Sequence, residues 1–113
     1  MARPLALALL IALVATGCND STISRTLGAR CAVTADCAQR CLAPDPETPG
    51  GLCTLSCTTD GDCPTAARCA NQQGGVCLFG CATDPDCAFL GAGWTCQATD
   101  APGGGKVMVC RGN

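Results

Sequence analysis

Thirteen cysteines, nine acidic residues and no histidine set the chemistry open to this 113-residue chain. Cysteine can ligate zinc, act as a nucleophile or pair as a disulfide, and aspartates two residues apart can share a hard cation. The two residue types recur together. "CAVTADC" (residues 31–37), "CTTDGDC" (57–63) and "CATDPDC" (81–87) are three copies of one clasp, each with an aspartate directly before its second cysteine: Asp36, Asp62 and Asp86. Asp60 and Asp84 complete a D-x-D pair in the second and third copies, and each copy carries a threonine, Thr34, Thr59 or Thr83. An Asp or Thr side chain that accepts a hydrogen bond from a backbone N–H about two residues on closes an Asx- or ST-turn and aims the next cysteine inward. That structural role is the preferred reading. Calcium is the rival use of Asp60/Asp62 and Asp84/Asp86, but it takes about six to eight oxygens and the first copy lacks the earlier aspartate, so no metal and no cofactor are expected.

For the cysteines, the C-x3-C steps at Cys37/Cys41, Cys53/Cys57 and Cys77/Cys81 could be zinc ligand pairs, yet paired C-x2-C spacing and histidine are both absent. The N-terminus decides for disulfides. Arg3 and the apolar run "LALALLIALVA" (residues 5–15) read as a signal peptide, too short to span a bilayer as a helix. "ATGC" (residues 15–18) resembles a bacterial lipobox, whose cysteine takes an acyl chain such as palmitate as the signal, residues 1–17, is removed. Parity selects the same residue, because without Cys18 the cysteines number twelve, an even count for pairing. By resemblance to enterobacterial sorting rules, Asn19 rather than Asp after that cysteine points to the outer membrane of a bacterial envelope. Exported cysteines pair with one another.

Residues 18–30 comprise the lipidated cysteine and "NDSTISRTLGAR", polar and without periodicity. They read as a flexible tether, whose twelve residues at roughly 3.5 Å each reach about 40 Å. Beyond it the cysteines fall into three blocks of four, giving units at residues 31–56, 57–80 and 81–113 with periods of 26 and 24 residues. Large apolar side chains are few, so a conventional core is not expected and disulfides must substitute for it. "GGLC" (50–53), "GGVC" (74–77) and "GGGKVMVC" (103–110) mark β-hairpin turns, since glycine readily takes the positive φ that tight turns need. The expected fold is small and disulfide-rich: three tandem two-disulfide units with short β-hairpins and no helix beyond about one turn outside the signal peptide. Four cysteines allow three pairings per unit, and spacing does not choose among them. The working expectation is the interlocked one: Cys31–Cys41, Cys37–Cys53, Cys57–Cys69, Cys63–Cys77, Cys81–Cys96 and Cys87–Cys110.

The C-x2-D-x-D-C clasp followed by a "GGVC"-like fourth cysteine resembles the cysteine-rich repeats of many exported proteins of myxobacteria and related bacteria. Over residues 31–110 it is also similar to the N-terminal cysteine-rich region of Dickkopf proteins. More distantly it is similar to colipase and whey-acidic-protein modules, in which an opening C-x5-C lies within interlocked disulfides. The lipobox is a bacterial feature, so the Wnt antagonism of Dickkopf proteins is not carried over.

These features favour some functions over others. Without histidine no Ser-His-Asp or Cys-His site can be assembled, so an enzyme is not expected. With Arg3 removed, six basic residues face nine acidic ones, which speaks against nucleic acid or anionic lipid as an electrostatic partner. The leading reading is a membrane-anchored lipoprotein, a rigid rod of three units acting at the cell surface as an interaction or structural module, with a surface protein as its partner. Phe89, Leu90 and Trp94 in "AFLGAGWTC" are the candidate contact residues, although packing over the disulfides is the favoured use of the only tryptophan. A disulfide-braced protease inhibitor presenting Arg40 or Arg68 is the rival, and an inert envelope spacer is the third reading.

Overall fold

The computed structural model describes residues 23–112, so the expected signal peptide and Cys18 lie outside the described residues. Three antiparallel two-stranded hairpins follow one another: β1 (Arg40–Leu42) with β2 (Leu52–Thr54), β3 (Ala67–Ala70) with β4 (Val76–Phe79), and β5 (Trp94–Asp100) with β6 (Lys106–Gly112). Each is preceded by a clasp centred on a 3₁₀ helix, at Thr34–Asp36, Asp60–Asp62 and Asp84–Leu90. The chain is a small disulfide-rich fold of three units, as expected. The third 3₁₀ helix outgrows the single turn anticipated. Pro85 presets φ at its start, buried Cys87 and Leu90 anchor its length, and Gly91 at φ 110° ends it.

In every hairpin the third and fourth cysteines of the unit stand opposite each other across the ladder: Cys41↔Cys53, Cys69↔Cys77 and Cys96↔Cys110. They are not bonded to each other. Each reaches back to the clasp, giving Cys31–Cys41 with Cys37–Cys53, Cys57–Cys69 with Cys63–Cys77, and Cys81–Cys96 with Cys87–Cys110. This is the interlocked pairing in all three units. The double glycines turn the hairpins, and the second one in the first two units has a further constraint. A Cβ on Gly51 (φ 79°) would collide with the carbonyl oxygen of Cys31, and one on Gly75 (φ 101°) with that of Cys57, so turn and clasp lie in contact.

The units do not string out as a rod. A single cluster of buried residues draws Leu42 and Leu52 from the first unit, Val76, Leu78 and Phe79 from the second, and Leu90, Trp94 and Val109 from the third. Bridges Ser56↔Val76 and Gly80↔Val109 join neighbouring units. The first unit also meets the third directly: Gly112 N–H donates to the Glu47 carbonyl (2.7 Å), and the Arg111 guanidinium pairs with the Glu47 carboxylate. The physical reason is the scarcity of large apolar side chains. No unit can close a core alone, and pooling them removes more apolar surface from water.

The tether also ends earlier than expected. Ser24 Oγ accepts the N–H groups of Thr26 and Leu27 (both 3.2 Å), closing a turn, and Gly28 N–H and Ala29 C=O then bond to Cys53 in β2 (2.9 and 2.8 Å). Leu27 is 3% exposed and belongs to the shared core. One buried leucine outweighs the polar composition of the segment, contributing about 1.5–3 kcal/mol.

Leu27→Ala is therefore expected to lower the stability of the oxidised protein by about 2–5 kcal/mol in guanidinium unfolding, where a tether residue would change nothing. Gly75→Ala should destabilise by at least about 1–2 kcal/mol from its backbone conformation alone. Gly103→Ala, at a turn position with open space around it, is the near-neutral control in the same assay.

Candidate functional site

The clasp holds most of the repeated polar side chains, and its geometry recurs in each unit. Asp36 Oδ2 accepts the N–H groups of Ala32 (2.9 Å) and Val33 (3.2 Å), Asp62 Oδ2 those of Thr58 (2.9 Å) and Thr59 (3.2 Å), and Asp86 Oδ2 those of Ala82 (2.8 Å) and Thr83 (3.0 Å). The carboxylate reaches backwards, to residues three and four before it, and not forwards as an Asx-turn would. Val33, Thr59 and Thr83 are the N-caps of the 3₁₀ helices, so the acid at the third helical position accepts the N-cap N–H, as in a capping box, together with that of the residue before it.

The residue two positions earlier has a separate task. Thr34 Oγ1, Asp60 Oδ1 and Asp84 Oδ1 accept the N–H of the third cysteine of their own unit: Cys41 (3.4 Å), Cys69 (2.7 Å) and Cys96 (2.9 Å). Thr34 is thus the counterpart of the two aspartates. The D-x-D pair comprises two acceptors for different stretches of backbone, one closing the clasp and the other docking it on the hairpin.

These bonds favour the ionised carboxylates. The N–H of Ala32 lowers the pKa of Asp36 most, as Thr58 does for Asp62 and Ala82 for Asp86. Asp60 is lowered first by the Cys69 N–H and then by Arg68, whose Nε lies 3.0 Å from Oδ2. A calcium ion shared by Asp60 and Asp62 would compete with these donors for the carboxylate oxygens. Three sulfurs of each unit lie within 4.8 Å of one another, among them Cys57, Cys63 and Cys77, a spacing a thiophilic metal could use. All of these sulfurs are held in disulfides.

The three candidate contact residues separate. Trp94 (6% exposed) and Leu90 (7%) lie in the shared core, so the tryptophan packs over the disulfides and hairpins. Only Phe89 is presented, 44% exposed, its ring edge-on to Phe79 with centroids 5.0 Å apart. Arg40 and Arg68 lie in β1 and β3. Arg40 donates to Ser56 Oγ and the Gln73 carbonyl, and Arg68 pairs with Asp60, so neither projects from a protruding loop as an inhibitor's contact residue would.

Concave surfaces lie where different parts of the chain meet. A polar cavity of ≈ 370 Å³ is lined by Glu47, Gln72, Asp100, Lys106 and Arg111 from all three units. Its charges are largely matched within the protein, Arg111 by Glu47 and Lys106 by Asp100 at 2.7 Å. A second groove of ≈ 470 Å³ runs between Ile23, Gly28 and Arg30 on one side and Phe89, Leu90 and Gly91 on the other. Ile23 and Arg30 carry no signal in the sequence, because they stand in a segment without periodicity and meet the third unit only after the chain has folded.

A scan against protein-family models, a search of curated proteins and a search of solved structures each returned no match.

The depressed carboxylate pKa values carry a signed consequence. Their contribution is fully present above the ordinary aspartate value of 3.8 and is lost as pH falls through the lower values of the folded state. Denaturant midpoints of the oxidised protein should be flat from pH 7 to about pH 5 and decline below about pH 4. Asp36→Asn, Asp62→Asn and Asp86→Asn combined should flatten that decline, because the amides do not titrate in this range.

Proposed function

We propose that this protein is an exported bacterial lipoprotein, anchored through an acyl chain on Cys18 and acting as a non-catalytic interaction or structural module of the cell envelope. The observation that carries the reading is the complete pairing of the twelve cysteines from Cys31 to Cys110, which leaves Cys18, at the lipobox-like "ATGC", as the odd one. Six disulfides suit an oxidising compartment outside the cytoplasm.

The side chains support a scaffold more than a reaction centre. The clasp carboxylates are engaged by backbone N–H groups, and the only tryptophan is in the core. Of the two non-catalytic roles, contact is favoured over spacing. A body whose first and third units touch spans little distance, and its folded part begins six residues after Cys18. A surface-protein partner remains part of the proposal, and the outer membrane is its proposed location.

Intact mass without reduction, taken on protein isolated from a bacterial membrane, is expected to show six disulfides, loss of residues 1–17 and an acylated Cys18. Cys18→Ser should abolish labelling by radioactive palmitate. Free thiols at the twelve distal positions, or an unmodified Cys18 in the membrane fraction, would overturn the reading.

A further inference from the structure

We propose that the groove between residues 23–30 and the end of the third clasp docks on the phospholipid surface, seating Ile23 and Phe89 at the boundary of headgroups and acyl chains and Arg30 against lipid phosphate. The proposal rests on the acylation of Cys18. Ile23 is the fifth residue after Cys18, so at roughly 3.5 Å per residue it lies within about 18 Å of the acylated cysteine. An acyl chain buried in the bilayer holds its cysteine at headgroup level. Ile23 therefore stands no more than about 18 Å from headgroup level, whatever path the intervening residues take, which leaves the face carrying it within reach of the lipid.

That face has the composition of an interfacial surface. Ile23 is 40% exposed and Phe89 44%, both large apolar side chains lining the one groove. Arg30 lies in the same groove, its guanidinium passing close to Gly50 and Gly91, where an added Cβ would crowd Nη1 and Nη2. Arg25 donates to the carbonyls of Ala35 and Asp36, Arg68 pairs with Asp60 and Arg111 with Glu47. Arg30 is exposed and has no hydrogen-bond or ion-pair partner among the described residues. An aromatic ring that dips into the interface beside an arginine that reaches phosphate is a favourable pairing at a membrane surface. Two apolar side chains and one cation bind lipid weakly alone. Added to an acyl chain they supply the second contact that fixes orientation.

Photo-crosslinking on the full chain tests this. Phe89, Ile23 or Met108 is replaced by p-benzoylphenylalanine, the protein is expressed in a host that acylates lipoproteins, its membranes are irradiated, and intact mass is recorded. Met108 is the control, 41% exposed and outside the groove. Phospholipid adducts are expected at positions 89 and 23 several-fold above those at 108, and Arg30→Glu should reduce the adduct at 89 several-fold. Equal adducts at all three positions, a protein adduct in place of lipid at 89, or no lipid adduct at 89 or 23 in chains whose mass shows the acyl group and six disulfides would overturn the docking. Absence of the acyl group from Cys18 in the same spectra would remove the anchor itself, a separate and recognisable failure.

Discussion

Each hairpin brings two cysteines face to face and then denies them to each other. Cys69 and Cys77 are cross-strand neighbours, yet one is bonded to Cys57 and the other to Cys63, the two ends of the same clasp. The clasp is therefore held at two points over the hairpin and cannot pivot. Loops of this length are worth on the order of 3 kcal/mol each in the chain-entropy model. The polar residues of the clasp serve the same geometry. Asp62 sets the turn that spaces Cys57 from Cys63, and Asp60 ties that turn to the strand through the Cys69 N–H.

Disulfides hold each unit's shape, but they do not explain why the units stay together. No disulfide crosses from one unit to the next. The hydrophobic effect provides the link, gathering a few leucines, valines and aromatics from all three units into one cluster, with Leu27 supplied from before the first clasp. Hydrogen bonds then specify the arrangement. Thr54 Oγ1, buried, donates to the Cys77 carbonyl between the first and second units, and Asn71 N–H to the Asp100 carbonyl (2.7 Å) between the second and third.

The local parts of this fold are legible in the sequence because local physics makes them. Gly-Gly before a fourth cysteine announces a turn, and the recurring C-x5-C announces the units. Three features are not legible for a common reason: each depends on a partner distant in sequence or on the direction of a bond. Leu27 is one apolar residue in a polar stretch, and nothing nearby shows that β2 and the shared core await it. Glu47 and Arg111 stand 64 positions apart, so the meeting of first and third units has no local mark. The aspartate before each second cysteine was expected to accept a forward N–H and instead accepts backward ones, since residue type fixes the capacity to accept but not the donor. The exposed phenylalanine and the buried tryptophan separate for a similar reason, because both lie in one apolar stretch and only the 3₁₀ helix ending at Gly91 sends them to different surroundings.

Confinement of every disulfide within its own unit bears on how the protein matures. On the proposed export route, a chain threaded through a translocation channel would emerge from its N-terminal side, so the first unit could be oxidised while the third is still inside. The pooled core has no such privilege, since Trp94 and Val109 arrive last and the cluster cannot close without them. Until β6 emerged, the sulfurs of the shared core would remain open to thiol exchange and a mispaired bond could be corrected. On that route, packing of the last strand would bury Cys77 and Cys87 together with Cys110, all members of the shared core, and end the editing.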